Sequence, residues 1–518
     1  MAALIELALP ILCIILIGSR YFNGIARARL DVPTVTFGRF IPNFINRLLF
    51  TVAGRYIVHK GYKQYKNVPF RILKIDADVI VLPARYLPYI RTLGEHQISL
   101  IEAQSANVCG EYINILLGTN LPSITVGKKL TPAMNRLIPR VIEELDHAFA
   151  VEMPQCNDWT EMKLYSTILK LITRSTSRII VGKTLCRDEV WLNTITEYSE
   201  QLGMTLVTLR PLPLFLRPFV ASVLPSVKYL KKTLDDLKDQ LFVPIILARR
   251  EAEAKNPNLT KPDDFIQWMM DTADNDFDRD PENIAYGVMA IMAIAITHTT
   301  TMLITQGLYD LMMHPEYIGP LKREIKQTLK NGWVNATVRD FTSQRLLDSF
   351  LRESQRLNPS SEYNVHRTAK QPITFPDGFH LPEGTYFVFA SGPLSIDPSI
   401  VRSPETFDGY RWCYDHLQHG RASNRPIAYQ SLVTLNESNL HFGYGREACP
   451  GRFFGAHTAK ALLSRLLVEY ELQILDEEWF SKYLSDGIPV RPWNIRNGEH
   501  IMPNPFTKVM IRKTGERI

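Results

Sequence analysis

Phe442-Gly443-Tyr444-Gly445-Arg446-Glu447-Ala448-Cys449-Pro450-Gly451 decides the reading of this chain. It sets one cysteine in a glycine-punctuated loop. The run that follows, Arg452-Phe453-Phe454-Gly455-Ala456-His457-Thr458-Ala459-Lys460-Ala461-Leu462-Leu463, has the apolar spacing of a helix. The sulfur is therefore expected just before a helix N-terminus, where unpaired N–H groups and the positive dipole end favour a thiolate. A thiolate held in this way meets the requirement of an axial iron ligand. Taken alone, Cys449 also reads as a buried structural thiol, the commonest fate of an intracellular cysteine. Gly443-Tyr444-Gly445 echoes a dinucleotide fingerprint, but no strand-then-acid context supports that.

The spacing of Phe442, Gly445, Cys449 and Gly451 resembles the haem-binding loop of cytochromes P-450. Two further constellations carry the same resemblance in the same chain order. In Leu351-Arg352-Glu353-Ser354-Gln355-Arg356-Leu357, Glu353 and Arg356 stand three apart on one helical face, and Asn358-Pro359 ends the helix. On a surface helix such a pair is worth little. With the later segment Pro404-Glu405-Thr406-Phe407-Asp408-Gly409-Tyr410-Arg411-Trp412, the resemblance implies a buried network of Glu353, Arg356 and Arg411 supporting the haem loop. Arginine suits this role because its planar fork bonds two partners at once.

Ala295-Ile296-Thr297-His298-Thr299-Thr300 stands where the family has its oxygen-activation motif. A threonine hydroxyl there bonds back to the carbonyl four residues earlier and opens the helix. The resemblance implies that Thr299 helps deliver protons. Ile296 replaces the usual small residue and His298 the usual acid, and histidine is expected to relay protons near neutral pH. The bland alternative is a helix-interior patch satisfied by its neighbours. Glu447 also departs from the family, which has a cation there facing a haem propionate. Arg446 or Arg367 is expected to supply that charge. The family's Trp-x-x-x-Arg motif is missing, which leaves Lys128, Lys129 and Arg136 as the nearby cations.

The resemblance covers the chain from end to end. It implies a mainly α fold with small β-sheets (α+β), one large domain over 20–518 after an N-terminal transmembrane anchor over 1–19. The cofactor implied is haem b with Cys449 on its iron. The activity implied is a monooxygenase placing one atom of dioxygen in an apolar substrate. Its electrons would come from NADPH through a cytochrome P-450 reductase, with cytochrome b5 as a further donor. The chain is similar in flavour to fungal members acting on terpenoid or meroterpenoid skeletons. A reductase-independent haem-thiolate isomerase or dehydratase, and an anchored binding protein without haem, are the alternatives.

Composition agrees with a globular body: 45% apolar and 22% charged residues. No Pro/Ser/Gly-rich linker or repeat marks a second domain. The six cysteines show no C-x-x-C pair, which argues for reduced thiols and a cytosol-facing body. The sequons at Asn258, Asn335 and Asn436 would then go unused. A formal charge of +6 is not gathered into a basic arm, so nucleic-acid binding has little support. From Ala2 to Gly18 the only charge is Glu6, and Arg20, Arg27 and Arg29 follow. That order fits an uncleaved single-pass anchor in the endoplasmic reticulum membrane with the body on the cytosolic side.

Along the body, Phe70 to Leu82 alternates and predicts a hairpin turning near Asp76 to Asp78. Leu130 to Ala150, Asp158 to Gly182 and Val227 to Lys255 predict amphipathic helices. The proline-broken run Leu209 to Val220 reads as a bilayer contact or as a buried loop. Asp280-Pro281 predicts the cap of a long central helix ending near His314-Pro315. Thr385 to Ala390 predicts a short strand after two Gly turns.

Overall fold

The computed structural model describes residues 30–115, 118–413, 429–475 and 490–518; the expected anchor over 1–19 lies outside them. The described body is mostly helical with small sheets, as the sequence predicts. Strands β1 (Thr34–Val35), β2 (Phe70–Leu73), β3 (Asp78–Leu82), β4 (Ile98–Ser99), β5 (Asn364–Ala369) and β6 (Tyr386–Phe389) form one six-stranded sheet. Its order is β1-β2-β3-β6-β5-β4. The β2–β3 hairpin turns at Lys74 to Ala77, where the Lys74 N–H donates to the Ala77 carbonyl at 2.9 Å. A second hairpin, β7 (Asn494–Asn497) and β8 (His500–Pro503), reaches the helical half of the molecule.

Eight helices position the site: α1 (Asn43–Tyr65), α2 (Leu100–Asn107), α3 (Leu164–Ile180), α4 (Glu189–Leu209), α5 (Arg217–Val223), α6 (Pro281–Met313), α7 (Arg345–Leu357) and α8 (Arg452–Glu469). Two expected helices differ from observation. The one over Asp158 to Gly182 begins only at Leu164, because Thr160–Lys163 pairs with Lys508–Lys513 as a strand. The one over Val227 to Lys255 is two helices, Pro225–Leu237 and Val243–Lys255, joined by a wider turn at Lys238–Phe242.

Helix α6 is the axis of the helical half. The Asp280 carboxylate caps it by accepting the Glu282 N–H at 2.8 Å, with Pro281 in the first turn. Among the described residues it is the one helix long and apolar enough to cross a membrane, but 56% of its apolar window is buried inside the protein. Burial of that kind marks a core helix. Gly307 lets α7 pack closely on it, since a Cβ there would come within 2.9 Å of Leu351. Gly455 brings α8 beside it, 3.6 Å from the Thr300 hydroxyl by the same measure.

The approach to the cysteine loop is held by buried charge. Glu353 is 0% exposed and accepts five hydrogen bonds. Arg356 donates twice, at 2.8 and 2.7 Å, and Arg411 once, at 3.0 Å. The Trp412 indole N–H and the Asp408 backbone N–H each donate at 3.1 Å. Arg356 also ties down the carbonyl of Pro404 at 2.7 Å, and Arg411 that of Thr406 at 2.9 Å. One helical turn earlier, Asp348 binds Lys460 of α8 at 2.9 Å and the Leu432 N–H at 2.5 Å. Both Asp348 and Lys460 are buried, so α7 is riveted to the helix that carries the cysteine.

Replacing Glu353 with Ala leaves two buried guanidinium groups without their carboxylate. A broken buried pair costs about 3–5 kcal/mol, a large share of typical stability. We expect insoluble protein, or a thermal unfolding midpoint far below that of the parent. A soluble variant with an unchanged midpoint would contradict the network's structural role.

Candidate active site

The cysteine loop is shaped by glycine where the backbone turns left-handed. Gly443 has φ +76° and Gly445 φ +75°; a Cβ on Gly445 would meet Arg91 at 3.1 Å. These turns let the Cys449 N–H reach back to the Phe442 carbonyl at 2.8 Å. The sulfur comes to rest two residues before α8, with Gly451 as N-cap. Burial pushes the Cys449 thiol up, against the pull of the Gly451 and Arg452 backbone N–H groups and the Arg452 guanidinium. The helix-start donors expected from the sequence are present, but in the protein alone desolvation outweighs them.

Cys449 is nevertheless exposed by surface area. A desolvated side chain that a water-sized probe still reaches faces an interior hollow. Helix α6 bears this out from its own side. Ala295 and Thr299, one turn apart, are exposed, whereas Met292, Ala293, Thr297, Thr300 and Thr301 around them are buried. The helix is widened here: Ile291–Ile296 takes π-type turns. Three threonine hydroxyls bond back along it, Thr297 to the Met292 carbonyl at 2.6 Å, Thr299 to that of Ala295 at 2.5 Å and Thr301 to that of Thr297 at 2.6 Å.

His298 turns the other way. Its Nε2 lies 2.9 Å from the Ser199 carbonyl, which fixes the proton on that nitrogen, so Nδ1 accepts from the Tyr165 hydroxyl at 3.1 Å. Burial pushes the imidazole pKa down. His298 thus bridges α3, α4 and α6 as a neutral ring, and no bond joins it to Thr299. No local pattern marks Tyr165; only the fold brings it here.

Of the two expected counter-charges, Arg367 is interior and Arg446 is not. Arg446 is exposed, on a groove of about 1100 Å³ along the outer flank of the loop, lined also by Arg91, Glu437 and Tyr444. That groove is not the hollow over the sulfur. Arg367 is buried on β5 and lies 2.6 Å from Glu447 through Nε. The contact is not aligned as a hydrogen bond, so Arg367 Nε and Glu447 Oε2 both lack a bonded partner. Burial pushes the Arg367 pKa down, partly offset by Glu447. Arg452 Nε, beside the sulfur, is unbonded too. Lys128 and Lys129 are exposed on the turn that packs against Pro450, where Thr131 donates to the Pro450 carbonyl at 3.0 Å. Arg136 is committed to Asp263 at 2.9 and 2.7 Å.

These residues fit a haem. An accessible thiol, an exposed face on the buried helix α6 and the Arg452 guanidinium, whose Nε has no acceptor, suit a flat group bearing iron and carboxylates. Glu447 is of opposite character, and Arg367 pairs with it.

Comparison with known proteins agrees. The family model described as cytochrome P450 matches residues 121–492. The cytochrome P450 monooxygenase AtmP of Aspergillus flavus is 40% identical over 499 residues, 96% of this chain and 92% of that protein. The monooxygenase penP of Penicillium crustosum is 40% identical over 494 residues, covering 95% and 92%. The monooxygenase paxP of Penicillium paxilli is 38% identical over 490 residues, covering 94% and 91%. Identity at this level, sustained over nearly the whole of each protein, means that this chain belongs to the cytochrome P450 family and is one of its monooxygenases.

Proposed function

We propose that Cys449 is the axial ligand of a b-type haem, and that the enzyme oxygenates an apolar secondary metabolite of terpenoid or meroterpenoid type. The observation that carries this reading is the pairing of an accessible, desolvated thiol with the one open face of a buried helix, at Ala295 and Thr299. The names and fungal sources of the relatives support the setting. Electrons would come from NADPH through a membrane-bound reductase, with cytochrome b5 as a further donor. The apolar N-terminal stretch would hold the protein to the endoplasmic reticulum with its body in the cytosol.

Haem, when bound, supplies the activation of dioxygen. The chain's residues do the rest. Gly451 and Arg452 N–H groups would help hold the sulfur as the anion that iron requires, offsetting part of its burial, and Phe442 packs the loop from the core side. Arg452, whose Nε has no acceptor, and Arg367, although its Nε faces Glu447, would supply the positive charge opposite the carboxylates of the group. Thr299 holds a proton at its hydroxyl, now donated to the Ala295 carbonyl, and releases it toward the hollow when that bond breaks. His298 acts by bracing the widened helix through Tyr165 and Ser199, which keeps the Thr299 face open.

Changing Thr299 to Ala should uncouple the enzyme. NADPH consumption would continue with peroxide released and less product formed per NADPH, because a positioned proton-transfer group is lost. The experiment follows NADPH, peroxide and product together, with the reductase supplied. Unchanged coupling would remove Thr299 from the chemistry, and turnover without NADPH would favour the isomerase alternative.

His298→Ala should lower the thermal midpoint and also loosen coupling, because the brace is lost. Tyr165→Phe should do so more weakly, since one bond of the bridge survives. A His298 variant with unchanged midpoint but a displaced pH–rate profile would restore the relay role to the imidazole.

A further inference from the structure

Buried carboxylates elsewhere in the fold meet their cations through aligned hydrogen bonds. Glu499 accepts from Lys74 at 2.8 Å and from Arg210 at 2.7 Å, and Asp348 accepts from Lys460 at 2.9 Å. The pair formed by Arg367 and Glu447 is of another kind. Nε and Oε2 lie 2.6 Å apart without the alignment of a hydrogen bond, and neither atom has another partner. Arg367 is 2% exposed, and 22% of the Glu447 side chain is accessible. What joins them is charge, in a place that salt screens poorly.

The backbone of both partners sets this contact. On β5, Val365 takes φ +57°, a conformation that β-branched residues rarely adopt, at a register shift between Asn364 and Arg367. Such a shift re-aims the side chain that follows it. Arg367 gives Nη1 to the His366 carbonyl at 2.7 Å and presents Nε to Glu447. Its Nη2 makes no hydrogen bond among the described residues and is not one of the sealed atoms, so this nitrogen is left for a further acceptor. On the loop, Glu447 follows the left-handed turns at Gly443 and Gly445 and stands two residues before Cys449. Chain geometry then keeps the Cα atoms of Glu447 and Cys449 within about 7 Å of each other.

The signs of these charges bear on any iron held at the sulfur. An electron added to the iron is favoured by nearby cations and opposed by nearby anions. Arg452 acts on Cys449 as a cation. Arg367 by itself would be a second cation on the loop. With Glu447 2.6 Å away it is one end of an ion pair, whose field falls off faster than that of a lone charge. Glu95 adds a like charge that acts on Glu447. The loop is thus left with less positive field than its arginines alone would give.

We propose that Glu447 is a positioning residue that acts through Arg367: it offsets the guanidinium charge beside the cysteine loop and so makes the haem iron harder to reduce. This rests on the reading of Cys449 as the ligand of a haem. The step concerned is the uptake of one electron by the iron, supplied by the reductase, and Glu447 makes and breaks no bond in it. A cation at position 447, as the family's pattern leads one to expect, would add to the field of Arg367 instead of offsetting it. Removing the Glu447 charge while keeping the shape of the side chain unmasks Arg367. A unit charge acting over roughly 10 Å at an effective dielectric of about 20 changes an equilibrium by about a factor of ten.

The test is a potentiometric titration of the full-length holoprotein with dithionite and mediator dyes, at one fixed neutral pH and without substrate. The reduction midpoint is read from the Soret band for the parent, Glu447→Gln, Glu447→Asp and the double variant Glu447→Gln with Arg367→Gln. Glu447→Gln should shift the equilibrium about 10-fold toward reduced iron, a midpoint about 59 mV higher. Glu447→Asp, which keeps the charge, should stay within about threefold of the parent, or about 28 mV. The double variant, which loses one charge of each sign, should return to that same range. A Glu447→Gln midpoint within threefold of the parent, or below it, overturns the proposal. So does an equal shift in Glu447→Asp, or a Glu447→Gln protein that no longer holds haem, since either makes the carboxylate a structural part of the loop. A double variant that keeps the full shift removes Arg367 from the account. If the double variant loses its haem, the contrast between Gln and Asp at position 447 decides. A parent without the thiolate-type band of the reduced carbon-monoxide complex would sink the haem reading and this inference together. A parent with that band and an unshifted Glu447→Gln sinks this inference alone.

Discussion

Everything near the sulfur depends on where one buried carboxylate finds its donors. Glu353 is taken out of water entirely, and an isolated carboxylate there would be prohibitively costly. Its five hydrogen bonds fix Arg356, Arg411, Trp412 and the Asp408 backbone in one geometry. Through them the carbonyls of Pro404 and Thr406 are fixed as well. Asp348 and Lys460 add a second rivet between α7 and α8. Among the described residues, 429–448 on the approach to Cys449 have little regular structure of their own. They take their rigidity from these charges and from the Asp348 bond to the Leu432 N–H.

The central helix supplies the opposing constraint. A helix buried on all sides gives no room for a reactant, so its widening at Ile291–Ile296 has chemical consequence. Three threonines take up carbonyls that the altered ladder releases, which keeps the backbone satisfied while one face opens. His298 stabilises this opening from behind. Of the three positions expected to depart from the family's pattern, His298, Ile296 and Glu447, two have a structural partner in place. His298 has Tyr165 and the Ser199 carbonyl; Glu447 has Arg367. For Ile296, half-buried against the core, the structure offers no such account.

What the sequence made legible was local. The glycine turns around Cys449, the Asp280 cap, the hairpin at Asp76 to Asp78 and the three-residue spacing of Glu353 and Arg356 are all short-range rules of backbone and helix geometry. What escaped was assembled across the chain. Lys460 lies in an apolar run, and its partner Asp348 is far away in sequence. Thr160–Lys163 has helical neighbours and became a strand only because Lys508–Lys513 pairs with it. The charges of Lys74, Arg210 and Glu499 belong to three turns that no periodicity connects. Leu209 to Val220, read as either bilayer contact or buried loop, runs into helix α5; Arg210 and Arg217 are buried in it, while Phe219 is 73% exposed.

The central claim is that Cys449, and no other cysteine, faces the iron. The most direct measurement is the absorption spectrum of the reduced carbon-monoxide complex, for the parent and for single Ala variants of Cys449, Cys109, Cys186 and Cys413. The parent and the last three should show the thiolate-type band, because of these four cysteines only Cys449 stands in the glycine-turned loop that leads into α8. Cys449→Ala should lose it. A thiolate band that persists in Cys449→Ala would contradict the account.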